Sequence, residues 1–275
     1  MSLETDVSRI LQIITDQTEA VSRTPGGQDD RLHDAQTLVF KCVQHATSTL
    51  ILFRGVEIDD FGFKTHYQDL FSVLGLARMC HEAYLMFSHV FVAPPTPEEA
   101  SFRFLAWRYA DFRRQAKLRV RRRLAPPDAQ VESWRAEIMR AARRLRPLLR
   151  ANPVFARLNK RDQNDLLNRL RWPLRGWSTL GKEAGFTDLQ AIQIYRYLCS
   201  YAHPGNLSVR QARLASEARE LGHLATTGLK HTGILLACLA VDYVRVFPLA
   251  RVVLEKDPDR RRLVDYYADF ARGNY

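Results

Sequence analysis

The chain has 275 residues, 46% of them hydrophobic, with a formal charge of +11 and four cysteines. That length and apolar content exclude a disordered chain and suffice for a substantial core. Cys42, Cys80, Cys199 and Cys238 form no C-x-x-C pair and sit in helix-like apolar patterns. They are therefore expected as reduced core residues of a cytoplasmic protein, with no metal site and no cofactor.

The opening MSLETDVSRI lacks the basic and apolar regions of a secretory leader. Ser2 caps a first helix in which Leu3, Val7, Ile10, Ile14 and Val21 form one stripe. TPGGQDD breaks it, and a second helix is predicted over 31–54, with Leu38, Cys42, His45, Thr49 and Leu52 inward. Four later segments match the capping box S/T-x-x-E/Q: Thr65–Gln68, Thr96–Glu99, Thr187–Gln190 and Ser208–Gln211. A third helix is predicted over 66–92, ending before Pro94-Pro95. The fourth runs from Pro97 to Leu124, and Pro126-Pro127 ends it. The fifth covers about 128–149, with Trp134, Ile138, Ala141, Leu145 and Leu148 inward and a kink at Pro147. Short helices and two tryptophans, Trp172 and Trp177, fill 152–185. A helix over 188–203 ends at Pro204-Gly205. The last long helix, about 209–247, is expected to break near Gly228 or Gly233. A short amphipathic tail with Leu263, Tyr266, Tyr267 and Phe270 follows.

No stretch alternates with period two, so no sheet is predicted. The expected fold is all-α: one up-and-down helical bundle spanning 1–275, with a long basic helical hairpin, 97–150, inserted within it. The longest apolar run, Ile234–Val241, is far short of the roughly 20 residues of a membrane span, so no membrane association is expected.

The charge is concentrated. Between Arg103 and Arg150 there are 15 basic and 4 acidic residues, a net +11 that equals the charge of the whole chain. Arg113, Arg114, Lys117, Arg121, Arg140, Arg143 and Arg144 are the candidate contacts to nucleic acid. A solvated charged face or a surface for an acidic protein are the other readings.

The segment IQIYRYLCSYAHPG places Arg196 and His203 seven residues apart, almost two helical turns, on one face with Ser200. Ile192, Tyr195, Cys199 and Ala202 form the neighbouring buried stripe. A guanidinium fork suits a phosphate, and an imidazole moves protons near neutral pH. On the third helix, Arg78 and Glu82 are spaced for an i,i+4 pair beside His81. A purely structural reading stands beside the chemical one: Arg196 pairs with a carboxylate such as Glu82, and His203 caps its helix. P-loop, G-x-G-x-x-G, G-x-S-x-G and H-E-x-x-H motifs are absent.

Arg-x6-His near the end of a bundle helix resembles the motif of the HEPN superfamily. The wider set is similar to an uncharacterised bacterial branch of HEPN-like proteins. It comprises Arg78 to Glu82, Trp177, Tyr195 to Leu198-Cys199, and His203-Pro204. The likeness covers about 66–92 and 150–247. It implies an all-α, usually dimeric protein and metal-independent RNA cleavage. His203 would handle the proton of a ribose 2′-OH, Arg196 would hold the scissile phosphate, and Arg78, Glu82 and Ser200 would support them. Toxin or phage-defence activity with RNA, a homodimer partner and an antitoxin belongs to that expectation. The other function class is a non-catalytic helical module that binds nucleic acid or a protein.

Overall fold

The computed structural model describes residues 2–23, 29–60, 62–117, 129–202, 205–217 and 221–274. Helix α1 (Leu3–Ser22) starts where Ser2 Oγ accepts the Thr5 N–H, and it buries Val7, Ile10, Ile13, Ile14, Gln17 and Val21. Asp29 caps α2 (Asp30–Arg54), which buries Val39, Cys42, Ala46 and Thr49. Gly55, at φ +82°, ends it. The chain then forms an antiparallel hairpin of β1 (Val56–Asp60) and β2 (Phe63–Tyr67), paired Val56 to Tyr67. This hairpin corrects the expectation of no sheet. Five residues per strand are too few for a sustained alternation to register, and Thr65 lies in a strand rather than at a helix cap. Asp69 caps α3 (Leu70–Phe87) instead, accepting from the Ser72 N–H, and a π-helical turn (Ser88–Val92) extends it.

Thr96 caps α4 (Pro97–Gln115), accepting from the Glu99 N–H at 3.2 Å, and Pro97 occupies the first turn. Helix α5 (Ala129–Ala151) carries Pro147 in its interior. Short helices α6 (Pro153–Arg157) and α7 (Lys160–Asn164) follow, then a π-helical turn (Asp165–Arg169). Next come α8 (Trp177–Glu183), a π-helical turn (Leu189–Ile194), α9 (Tyr195–Ala202), α10 (Asn206–Glu217) and α11 (Leu221–Val246). The short α12 (Arg251–Glu255) and then α13 (Pro258–Arg272) complete the described elements. The all-α class therefore holds, with one small hairpin added.

The chain forms two compact units, residues 1–88 with 177–275, and residues 89–176. The second takes in more than the expected 97–150 hairpin, because 151–176 return to cover it. In the first unit α11 is the central element, packing against α1, α2, α3 and α13. Gly222–Val246 is long and apolar enough to cross a membrane, but most of it is buried inside the fold. Neither Gly228 nor Gly233 breaks α11. Both allow close helix approach: a Cβ at Gly233 would lie 2.8 Å from Val7 Cγ2, and one at Gly228 3.1 Å from Val73 Cγ1. Gly233→Ala should therefore destabilise the protein by about 1–3 kcal/mol, overriding the helix preference of Ala. A rise in the urea midpoint would contradict this. Ser208 does not start α10 either; it lies inside the helix, donating its Oγ–H to the Gly205 carbonyl at 2.8 Å.

One ion cluster lies in this core. Asp242 is buried, and its Oδ2 accepts from Tyr84 Oη at 2.8 Å and from Arg272 Nη2 at 3.0 Å. Burial alone would lower the Arg272 guanidinium, but the Asp242 carboxylate outweighs it and holds Arg272 charged. Burial also pushes the nearby Cys238 thiol up to about 12, so it stays protonated. Cys42 and Cys80 meet between α2 and α3 as buried free thiols, 3.0 Å apart at sulfur.

The second unit has its own core: Phe102, Ala106 and Tyr109 of α4, Ala142 and Leu149 of α5, Phe155, Leu166 and Trp172. On α5 the buried line passes through Ile138, Ala142 and Leu149, with Leu145 packed against it. Trp134 and Leu148, expected inward, are 43% and 56% exposed. The predicted and observed stripes share Ile138 and Leu145 and differ by one residue, about 100° of helix, which periodicity alone does not resolve.

Candidate functional site

The π-helical turn before α9 decides which way Arg196 points. A π turn holds one extra residue, so it rotates everything after it by about 100° relative to a continuous α-helix. The inward stripe runs through Ile194, Leu198 and Tyr201, packed against Leu74 and Ala77 of α3. The expected stripe of Ile192, Tyr195, Cys199 and Ala202 is displaced by one residue. Arg196 then lies two residues from both Ile194 and Leu198, on the opposite side of the helix, and is exposed. Among the described residues it has no carboxylate partner. His203 and the Pro204 that follows lie outside the described residues. Ser200 is half-buried, and its Oγ–H donates to the Tyr197 carbonyl at 2.7 Å, a local backbone bond.

The remaining residues of the motif converge. Arg78 Nη2 donates to Glu82 Oε1 at 2.8 Å along α3, and Tyr195 Oη donates to the same oxygen at 3.0 Å. Trp177 of α8 lies 6.3 Å from Tyr195, ring to ring. Burial, then a hydrogen bond with the Cys199 thiol, raises the Tyr195 hydroxyl, so it is a fixed donor at neutral pH. Glu82 is thus occupied by Arg78 and Tyr195 rather than by Arg196. The pairing offered as a structural reading for Arg196 is not formed.

Behind this cluster lies a second polar chain that sequence reasoning did not assemble. His81 and His231 are both buried, with His81 Nδ1 2.7 Å from His231 Nε2. His231 Nδ1 lies 3.1 Å from Gln190 Oε1. The carbonyl oxygen can only accept, so His231 Nδ1 carries the proton and Nε2 is a lone pair. His81 Nδ1–H must then donate to it. That leaves His81 Nε2 as a buried acceptor with no partner. Its ring lies 5.2 Å from Tyr195. The run is therefore Gln190, His231, His81, the Tyr195 ring, Glu82 and Arg78. Burial pushes His231 down to about 3, and burial with the neighbouring His231 pushes His81 well below its usual range. Both rings are neutral. The Gln190 side chain, matched in sequence to a capping box, serves His231. Its backbone N–H reaches Thr187 Oγ1 only at 3.5 Å.

The candidate cations of the second unit divide. Arg140, Arg143 and Arg144 are exposed on α5. Arg114 is structural: its Nη2 donates to the carbonyls of Leu170 and Trp172 at 2.8 and 2.9 Å, bracing a turn in which Leu170 has φ +59°. Arg113 is half-buried, with a buried Nε that has no acceptor. Lys117 is exposed, and Arg121 lies outside the described residues. Residues 89–176 carry 21 Lys and Arg against 8 Asp and Glu. One of those acids, Asp165, is buried between Arg169 at 3.0 Å and Arg171 at 3.6 Å.

Among the described residues, no group of three or more His, Cys, Asp or Glu converges as metal ligands. No protein-family model, no curated protein and no solved structure matches this chain. A signal for the missed histidine pair was present in the sequence. His81 and His231 each interrupt an apolar helical stretch, and buried polar groups require partners.

Proposed function

We propose that this chain is a HEPN-like RNA-binding protein that cleaves RNA without a metal ion. Arg196 binds the scissile phosphate, and His203 takes the proton from the attacking 2′-OH. The oxygen then bonds to phosphorus, the bond to the 5′-oxygen breaks, and a 2′,3′-cyclic phosphate remains. The leaving oxygen needs a second proton, which the same residues of a second copy supply in a homodimer. The observation that carries this reading is the state of Arg196. It is exposed and without a carboxylate partner among the described residues, while Glu82 is held by Arg78 and Tyr195. A structural arginine would be paired; one facing solvent is available to a phosphate. On the second unit, the exposed Arg140, Arg143, Arg144 and Trp134 of α5 offer cations and an aromatic face suited to a nucleic-acid strand. Action in the cytoplasm as a toxin or defence effector, restrained by a protein antitoxin, is the setting that suits such an enzyme.

The test is cleavage of single-stranded RNA in excess EDTA. Wild type should produce cyclic-phosphate ends, and His203→Ala and Arg196→Ala should each be slower by roughly 100-fold or more. Intact RNA with wild-type protein would reject the enzyme. The second reading, a non-catalytic module for nucleic acid or a protein partner, draws on the charge of residues 89–176. It requires RNA binding that weakens linearly in log Kd against log salt, without cleavage.

A further inference from the structure

The second unit contains a cavity of about 250 Å³ lined by aromatic, apolar and basic side chains. Its aromatic side is formed by Phe102 and Trp172, which meet edge to face with centroids 6.0 Å apart. Its polar side holds Arg103, which is 5% exposed and fixed from two directions. Nε donates to Glu99 Oε1, and Nη1 donates to both His89 Nδ1 and the His89 carbonyl, all at 2.9 Å. An arginine can only donate, so His89 Nδ1 is an acceptor and the ring adds no charge there. Glu99, the one carboxylate in the lining, is therefore paired with Arg103. Arg157 and Arg175, both exposed and both lining the cavity, make the wall cationic. Trp172 is 8% exposed, and its indole N–H has no acceptor. A buried donor left unpaired is costly, and a ligand acceptor or water reaching it would relieve that cost.

Together these features specify a ligand with a flat apolar ring, acceptors on the ring edge and an anionic group beside it. We infer that this cavity is a nucleotide site that takes one base and its phosphate, the base against Phe102 and Trp172 and the phosphate on Arg157 and Arg175. Its volume is below the roughly 300 Å³ at which drug-sized pockets begin, so it admits a single flat group rather than a duplex. Unpaired RNA presents such groups, because splayed bases lodge against aromatic rings and guanidinium planes. A free mononucleotide presents the same chemistry. As a site for RNA the inference rests on the RNA-binding reading above, and it deepens that reading by naming where one base is held.

The experiment titrates full-length protein with 5′-AMP, with adenosine, with a labelled single-stranded oligo(A) and with duplex RNA, for wild type and Arg157→Gln/Arg175→Gln. Both substitutions are at exposed positions, and circular dichroism checks that the fold persists. Wild type should bind AMP better than adenosine and single strand better than duplex. The double variant should bind AMP and the single strand at least roughly tenfold more weakly, since two charge-assisted contacts are removed. AMP competing with oligo(A) identifies the strand as the natural source, and AMP binding without oligo(A) binding identifies a free nucleotide. That second result would preserve the site and remove the RNA-binding reading. Oligo(A) binding that is equal in both proteins and indifferent to AMP would overturn the site and leave RNA binding standing.

Discussion

Asp242→Ala will destabilise the first unit by about 2–4 kcal/mol, more than any surface substitution, because it removes the buried acceptor shared by Tyr84 and the partly buried Arg272. Asp242 is 1% exposed, and its Oδ2 accepts from both Tyr84 and Arg272. Its Oδ1 has no hydrogen bond, with only the Arg245 guanidinium 3.6 Å away. Removing the carboxylate leaves the Tyr84 hydroxyl and Arg272 without their acceptor. Asp242→Leu/Arg272→Met separates the ion pair from the packing. An apolar pair of similar volume often replaces a buried salt bridge at little cost, so the double variant should recover much of the loss. Urea denaturation of the three proteins measures the order. A single variant within about 1 kcal/mol of wild type would show that the cluster is not what anchors α13 to α11.

The histidine pair makes the fold sensitive to acid. His81 and His231 are neutral in the folded protein, with His231 held down to about 3. In the unfolded chain both titrate at about 6.5. Below that pH the unfolded chain takes up protons that the folded one refuses, so stability is complete above about pH 6.5. It is lost as pH falls toward about 3, by up to about 1.4 kcal/mol per pH unit for each ring. His231→Gln keeps an acceptor for His81 Nδ1 and removes one titrating ring. At pH 7.5 it should cost about 1–3 kcal/mol, through the broken contact to Gln190. Between pH 7.5 and pH 5 the gap to wild type should narrow by about 2 kcal/mol, because only wild type loses the His231 contribution. Carboxylates common to both proteins cancel in the comparison. Parallel stability curves would show that His231 is already charged in the fold.

Much of the architecture was legible because helices announce themselves with a 3.6-residue period and with caps. Ser2 and Thr96 cap where sequence places them, and the stripe of Val7, Ile10 and Ile14 is buried as read. The errors share one physical origin, which is that a local pattern does not reveal its tertiary partner. Thr65 fits a helix cap equally well in a strand, and Gln190 fits a capping box while its side chain serves a histidine 41 residues away. Gly228 and Gly233 read as breaks, but they are close-approach points whose meaning depends on Val73 and Val7. At the candidate site, the Arg78–Glu82 pair was legible from its spacing. Tyr195 as their partner was not, because its contact spans 113 residues. The face of Arg196 was misread by one residue, about 100° of helix, because Tyr195, Cys199 and Ala202 fit the helical period as well as Ile194, Leu198 and Tyr201 do.

That π turn, Leu189–Ile194, has a consequence for how this segment tolerates change. It acts as a phase adapter of one residue. Upstream, Gln190 and Ala191 are placed by the interior; downstream, Arg196 is placed by solvent. Deleting any one residue of the adapter would keep every helical hydrogen bond available, yet turn α9 by about 100° and carry Arg196 to the flank of the inward stripe. Length in this short window, more than residue identity, therefore sets which way the arginine faces. A one-residue gap there in a homologous chain would mark a protein in which that side chain has a different task.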